Sequence, residues 1–184
     1  MASLAVNAVS SQLVLIDMQV KLASAVPAEE LQSVVKNIVT LVQAAQLLQV
    51  PIIVTEQYPQ GLGETLPEIK QFLHNNKPIA KTAFSACSEP KFNQQLHRDN
   101  SLIVLAGMEA HICVLQTTLA LLQAGKTVFV VQDAILSRNP ANKSNALARL
   151  RDAGCVITNT ESVVFEFVSN ANHAAFKAIS KLIK

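Results

Sequence analysis

Three side chains of this sequence have the chemistry to cleave an acyl bond together: the carboxylate of Asp17, the amine of Lys81 and the thiol of Cys113. A thiolate attacks carbonyl carbon, a carboxylate beside it takes the thiol proton, and an ammonium orients the pair. Each residue has a local reason to be considered. Asp17 ends the apolar run Leu13-Val14-Leu15-Ile16, so its carboxylate is poorly solvated and disposed to take up a proton. Lys81 follows a short extended piece, Pro78 to Lys81. Cys113 lies six residues after Gly107, on the way from a buried strand into a helix. A helix N-terminus favours a thiolate through its dipole and free N–H groups, and those N–H groups also suit an oxyanion. From local context alone other roles stay open. Cys113 is equally a small buried hydrophobe, Asp17 a turn or cap residue, and Lys81 a solvent-facing charge.

The elements that must position these residues follow from the apolar pattern. Leu13–Ile16, Ile52–Thr55, Leu102–Leu105 and Val128–Val131 are short uninterrupted apolar or branched runs, as expected of strands buried on both faces. Val156–Thr158 is a last short strand. Helical spacing runs from Ala28 to Gln49, between Pro27 and Pro51, and again over Ile112–Ala124, Ala141–Asp152 and Ala171–Leu182. A short helix is expected from Pro67 to Leu73 and another after Pro90, and Tyr58–Gly63 reads as a loop. Strands alternating with helices predict a three-layer α/β/α, doubly wound parallel sheet, with one domain over residues 1–184 and residues 1–11 as a short N-terminal extension. In such sheets ligands bind outside the carboxyl ends of the strands, where Asp17, Lys81 and Cys113 all fall.

Competing chemistries lack their motifs. Met18-Gln19-Val20-Lys21 follows the first strand in place of a GxGxxG turn, and neither GxxxxGK[ST] nor GxSxG occurs. The histidines His74, His97, His111 and His173 have no paired ligand spacing, so neither a metal nor another cofactor is expected. A phosphatase with Asp17 as nucleophile is disfavoured because Gln19 stands where a second acid is needed. The net charge is +2, lysine and arginine are scattered, and the eight aromatic residues include no Trp, so no nucleic-acid footprint is present. Three widely spaced cysteines, Cys87, Cys113 and Cys155, form no disulfide framework, and no apolar run is long enough for a membrane span. A cytoplasmic protein acting on a small molecule is expected.

Taken together, Leu15-Ile16-Asp17-Met18-Gln19, Lys81-Thr82-Ala83-Phe84-Ser85 and Gly107-Met108-Glu109-Ala110-His111-Ile112-Cys113-Val114 resemble the isochorismatase-like cysteine hydrolases over nearly the whole chain. Thr55–Gly63 and Gly107–His111 are most like its isochorismatase domain-containing protein subgroup. The resemblance implies that Asp17 takes the proton of Cys113, that Lys81 supports the pair, and that the thiolate forms a thioester while ammonia or an amine leaves. It also implies a cis peptide between Met108 and Glu109, with the backbone N–H groups of Glu109 and Cys113 as the oxyanion hole. Gln57, Tyr58, Phe84 and His111 become substrate-pocket candidates, and a homo-oligomer is implied.

Two departures narrow the activity. Metal-dependent nicotinamidases carry an aspartate and histidines after the second strand, where this chain has Thr55-Glu56-Gln57-Tyr58-Pro59. True isochorismatases lack the cysteine that stands here at 113. C–N hydrolysis of a small amide or ureido compound is therefore expected. A redox or thiol-transfer enzyme using Cys113, and a silent binding scaffold that retains the three residues, are the alternatives. Cys113 is expected to be the most readily alkylated cysteine near neutral pH.

Overall fold

The structure is a computed structural model that describes residues 5–74, 76–97 and 99–183. Its first elements are β1 (Ser11–Ile16), α1 (Val20–Ala23), α2 (Ala28–Leu47) and β2 (Ile52–Gln57). Then come α3 (Pro59–Leu62), α4 (Pro67–Lys70), β3 (Ile79–Lys81), a 3₁₀ turn at Ala86–Ser88 and α5 (Pro90–Gln95). The second half holds β4 (Leu102–Met108), a π-turn at Ala110–Val114, α6 (Leu115–Gln123), β5 (Thr127–Leu136), α7 (Pro140–Asp152), β6 (Val156–Thr158), α8 (Thr160–Val168) and α9 (Phe176–Ile183).

The six strands form one sheet in the order β3-β2-β1-β4-β5-β6, and every pairing is parallel. Side chains alternate across each strand, and here both faces are covered. Leu13, Leu15, Val54, Val104 and Phe129 pack with Val34, Ile38, Leu41, Val163 and Phe167 of α2 and α8 on one face. Val14, Ile16, Ile53, Ile103 and Val128 pack with Phe92, Val114, Leu121 and Leu150 on the other. That double burial is why the strands read as unbroken apolar runs. Burial of a Leu, Ile or Phe contributes about 1.5–3 kcal/mol, so these two layers hold the sheet between its helices. The three-layer doubly wound architecture follows.

The chain winds outward from β1 through β2 to β3, then crosses back to place β4 against the other side of β1. The order reverses between β1 and β4, which opens a crevice at their carboxyl ends. Asp17, Lys81 and Cys113 lie at this rim.

Several elements differ from the sequence reading. Helix α8 was not expected; Asn159 caps it by accepting a hydrogen bond from Ser162 N at 2.9 Å. The last helix begins at Phe176 rather than Ala171, because Asn170–Ala175 form hydrogen-bonded turns. The Tyr58–Gly63 loop contains the single turn of α3, and α4 stops at Lys70. Of the expected N-terminal extension, residues 1–4 lie outside the described residues. Val6 is 3% exposed and its N–H donates to Glu166 Oε2 at 2.8 Å, so this end is tied to α8.

Candidate active site

Asp17 is the first residue beyond β1. Its N–H continues the sheet ladder to Thr55 O at 3.1 Å, and its φ of 50° turns the chain out of the strand. Few residue types accept that left-handed conformation, and Asp is among them. The turn needs room from the neighbouring strand. Gly107 is the register partner of Ile16, has φ 122°, and a Cβ there would meet Ile16 O at 2.1 Å. Only glycine allows β4 to approach β1 this closely just before the carboxylate.

The Asp17 side chain is fully buried. Oδ1 accepts from Thr55 Oγ1 at 2.7 Å. Oδ2 lies 2.7 Å from Lys81 Nζ, but off the alignment of a hydrogen bond, so the contact is an ion pair that leaves a lone pair on that oxygen. Lys81 comes from β3, two strands from β1, and its side chain is fully buried as well. Gln57 Oε1 accepts from its ammonium at 2.6 Å, Phe84 O at 3.1 Å and Ala83 O at 3.2 Å. The same nitrogen is 3.5 Å from Cys113 Sγ. Two buried opposite charges with this much hydrogen bonding are a tolerable interior pair; either one alone is costly.

Cys113 is 6% exposed, inside the π-turn that links β4 to α6. The Met108–Glu109 peptide just before that turn is cis. Glu109 O accepts from Ile112 N at 3.0 Å and Val114 N at 3.2 Å, which holds the segment carrying the thiol. The lowered thiol ionisation expected from a helix N-terminus is not what this environment produces. Burial, and next the Asp17 carboxylate, push the Cys113 thiol up to about 12, and Lys81 opposes them. The resting group is a neutral thiol. Expectation must change for labelling too: Cys87 is half-buried, whereas Cys113 and Cys155 are buried, and burial also pushes Cys155 up to about 12.

A cavity of about 140 Å³ opens onto Cys113. Leu22, Leu62, Phe84 and Ile112 give it an apolar wall, and Gln57, Glu109 and Arg138 supply its polar groups. Two of the four pocket candidates are therefore placed beside the thiol, Gln57 and Phe84. The other two face elsewhere. Tyr58, with φ 38°, lays its ring over Gly61 and borders a neighbouring depression with Thr82 and Glu89. His111 turns to the β5–α7 side, where Nδ1 meets Ser137 Oγ at 3.0 Å and Nε2 meets Asn142 Nδ2 at 3.3 Å. Thr55, Gln19 and Gly107 belong to the site's framework without having been singled out as site residues from sequence. Thr55 carried a readable signal, since a hydroxyl at the carboxyl end of β2 must lie beside the end of β1.

The carboxyl end of β2 is used by the protein itself. Glu56 Oε1 accepts from Thr65 N and Thr65 Oγ1, both at 2.7 Å, while Thr55 and Gln57 serve Asp17 and Lys81. These residues do not fit a metal-ligand set. Among the described residues no group of three or more His, Cys, Asp or Glu is arranged for a metal ion, and no helix is long and apolar enough to cross a membrane.

Known proteins resemble the chain along its length. A family model described as the isochorismatase domain matches residues 11–162. The human protein named isochorismatase domain-containing protein 2 is 41% identical over 177 residues, which cover 95% of this chain and 83% of that protein. A solved structure named MAR1 ribonuclease from Caenorhabditis elegans superposes with a TM-score of 0.91 at 39% identity, covering 97% of this chain and 92% of that one. The YcaC gene product of Escherichia coli, described as an octameric hydrolase of unknown specificity, superposes with a TM-score of 0.91 at 22% identity. It covers all of this chain and 91% of its own; at that identity it speaks for the fold alone.

Proposed function

The chain belongs to the isochorismatase family, and from that premise we propose that it is a cysteine hydrolase that cleaves the C–N bond of a small amide or ureido compound. The observation that carries this reading is the buried juxtaposition of Asp17, Lys81 and Cys113, with Lys81 Nζ 2.7 Å from the carboxylate and 3.5 Å from the sulfur.

Because the resting thiol is neutral, its proton moves only when a carbonyl carbon is in place. Asp17 takes that proton as Sγ forms the bond to carbon. The backbone N–H groups of Glu109 and Cys113 are the proposed donors to the developing oxyanion. Asp17 then returns the proton to the leaving nitrogen as the C–N bond breaks, releasing ammonia or an amine and leaving a thioester on Cys113. Water attacks the thioester, Asp17 accepts its proton, and the thiol is regenerated with release of the acid. Lys81, in contact with both the carboxylate and the sulfur, orients the pair and supports the charge that passes between them.

The neutral resting thiol argues against the redox alternative, since peroxide-sensing cysteines act as accessible thiolates. A ribonuclease activity, which the name of the nematode relative states, is disfavoured. The cavity at Cys113 is small and apolar-walled, and the chain's +2 charge is dispersed, without the basic footprint that a polynucleotide requires. One isochorismatase-like domain over residues 1–184, a cytoplasmic location and assembly into homo-oligomers complete the proposal.

The test is a screen of small amides and ureido compounds with ammonia detection, run beside an RNA substrate. Ammonia release that Cys113→Ala abolishes supports the reading; RNA cleavage that survives Cys113→Ala, with no amide turned over, overturns it.

A further inference from the structure

Lys81 is a long, flexible side chain that must be held between a carboxylate and a thiol, so something has to choose among its rotamers. The shortest contact of its ammonium is not with Asp17 but with Gln57 Oε1, at 2.6 Å. Gln57 and Lys81 are register partners across β2 and β3, which puts their side chains on one face.

The orientation of the Gln57 amide is set by chemistry. Its Nε2 donates to Thr82 O at 2.7 Å, and a carbonyl only accepts, so Oε1 must be the end turned to Lys81. The backbone of Gln57 is pinned in turn. Gln19 Oε1 accepts from Gln57 N at 2.7 Å, while Gln19 Nε2 donates to Gln57 O at 3.0 Å and to Gly63 O at 2.6 Å. Gln19 is itself fully buried, two residues beyond Asp17. One glutamine thus grips the main chain of the other, and the second presents a fixed acceptor to the lysine.

The geometry points to Gln57 as a positioning residue that acts through Lys81, holding its ammonium against Asp17 and Cys113. The assignment rests on the proposed role of Lys81. A carboxylate at position 57 would compete with Asp17 for the ammonium; the neutral amide accepts a hydrogen bond without doing so. An apolar side chain would remove the shortest of these contacts and leave the ammonium to the main-chain oxygens of Ala83 and Phe84, without the side-chain acceptor that fixes its place beside the sulfur.

The experiment needs no substrate. Iodoacetamide modification of Cys113 is followed by peptide mapping between pH 8 and 11 in wild type, Gln57→Met, Lys81→Met and the double variant, each checked for folding by circular dichroism. Loss of the nearby cation disfavours the thiolate, so Gln57→Met slows modification at pH 9 by about tenfold, one pH unit of the profile. Lys81→Met slows it at least as much. In the double variant the Gln57 substitution has no further effect, because its only route to the thiol is gone. Should Gln57→Met fail to fold, Gln57→Glu is the substitute: an anion beside the ammonium slows modification again, and again only when Lys81 is present. A wild-type profile in Gln57→Met with a slowed Lys81→Met overturns this assignment alone, as do additive effects in the double variant. An unchanged Lys81→Met profile overturns the role of Lys81 and this assignment with it.

Discussion

Replacing Asp17 by Asn separates two effects that a carboxylate has on a neighbouring thiol. As a base it helps the thiol react with substrate; as a fixed negative charge it keeps the thiol protonated. The Cys113 thiol stands at about 12 against an ordinary 9, with burial first and Asp17 second among the causes. That gap amounts to about 4 kcal/mol. The Asn side chain keeps the shape and the burial but removes the charge, and Lys81 then acts on the sulfur from 3.5 Å without opposition. Burial and Asp17 together hold the thiol about three pH units above its ordinary value against the pull of Lys81, so removing the second of these causes should lower it by about one pH unit. Asp17→Asn should therefore speed iodoacetamide modification of Cys113 at pH 8 by about tenfold or more. On a confirmed substrate the same variant should lose about 10²–10⁴ in rate, as removal of a general base does. It also orphans a buried ammonium, at about 3–5 kcal/mol; the three carbonyl oxygens on Lys81 point to the lower end. Site-resolved alkylation, turnover and urea unfolding measure the three quantities. Slower or unchanged alkylation in a folded Asp17→Asn protein would refute the reasoning.

Three further outcomes are expected. Gly107→Ala forces a Cβ to within 2.1 Å of Ile16 O at a φ of 122°, so urea unfolding should report a loss of about 2–4 kcal/mol from overpacking and strain; a loss under 0.5 kcal/mol would show that β1 and β4 separate easily. Because Cys113 and Cys155 ionise near 12 when folded and near 9 when unfolded, their contribution to stability is complete below pH 9 and is lost as pH rises toward 12. Each thiol should add a slope of up to roughly 1.4 kcal/mol per pH unit in that window, and Cys155→Ala should flatten the urea-derived curve; an unflattened curve would contradict the buried-thiol account. In wild type without substrate, Cys87 should label before Cys113 at pH 7.5; faster labelling of Cys113 would mean a thiolate already present at rest.

The strands and the site were legible for the same reason. A run such as Leu13–Ile16 or Leu102–Leu105 has one structural solution in an α/β chain, and the reactive residues that end such runs must share a rim. Helix α8 was missed because it begins at Thr160, separated from β6 by one residue, with no Gly or Pro between; the Asn159 cap was the available signal. Tyr58 and His111 were misplaced because sequence fixes a residue's position on an element but not the direction its side chain takes. A left-handed φ turned Tyr58 onto Gly61, and hydrogen bonds with Ser137 and Asn142 drew His111 aside. The thiol's ionisation was reversed for an electrostatic reason. The dipole of a short turn is a small local effect, whereas desolvation and a buried carboxylate act at full strength.

The central claim is that Cys113 carries the acyl group. Its most direct test is intact-protein and peptide mass spectrometry after an acid quench during turnover of an amide identified by the ammonia screen. The account predicts a mass increase equal to the acyl group on the peptide containing Cys113, removed by hydroxylamine and absent in Cys113→Ala. Turnover without any adduct on that peptide, persisting at full rate in Cys113→Ala, would contradict it.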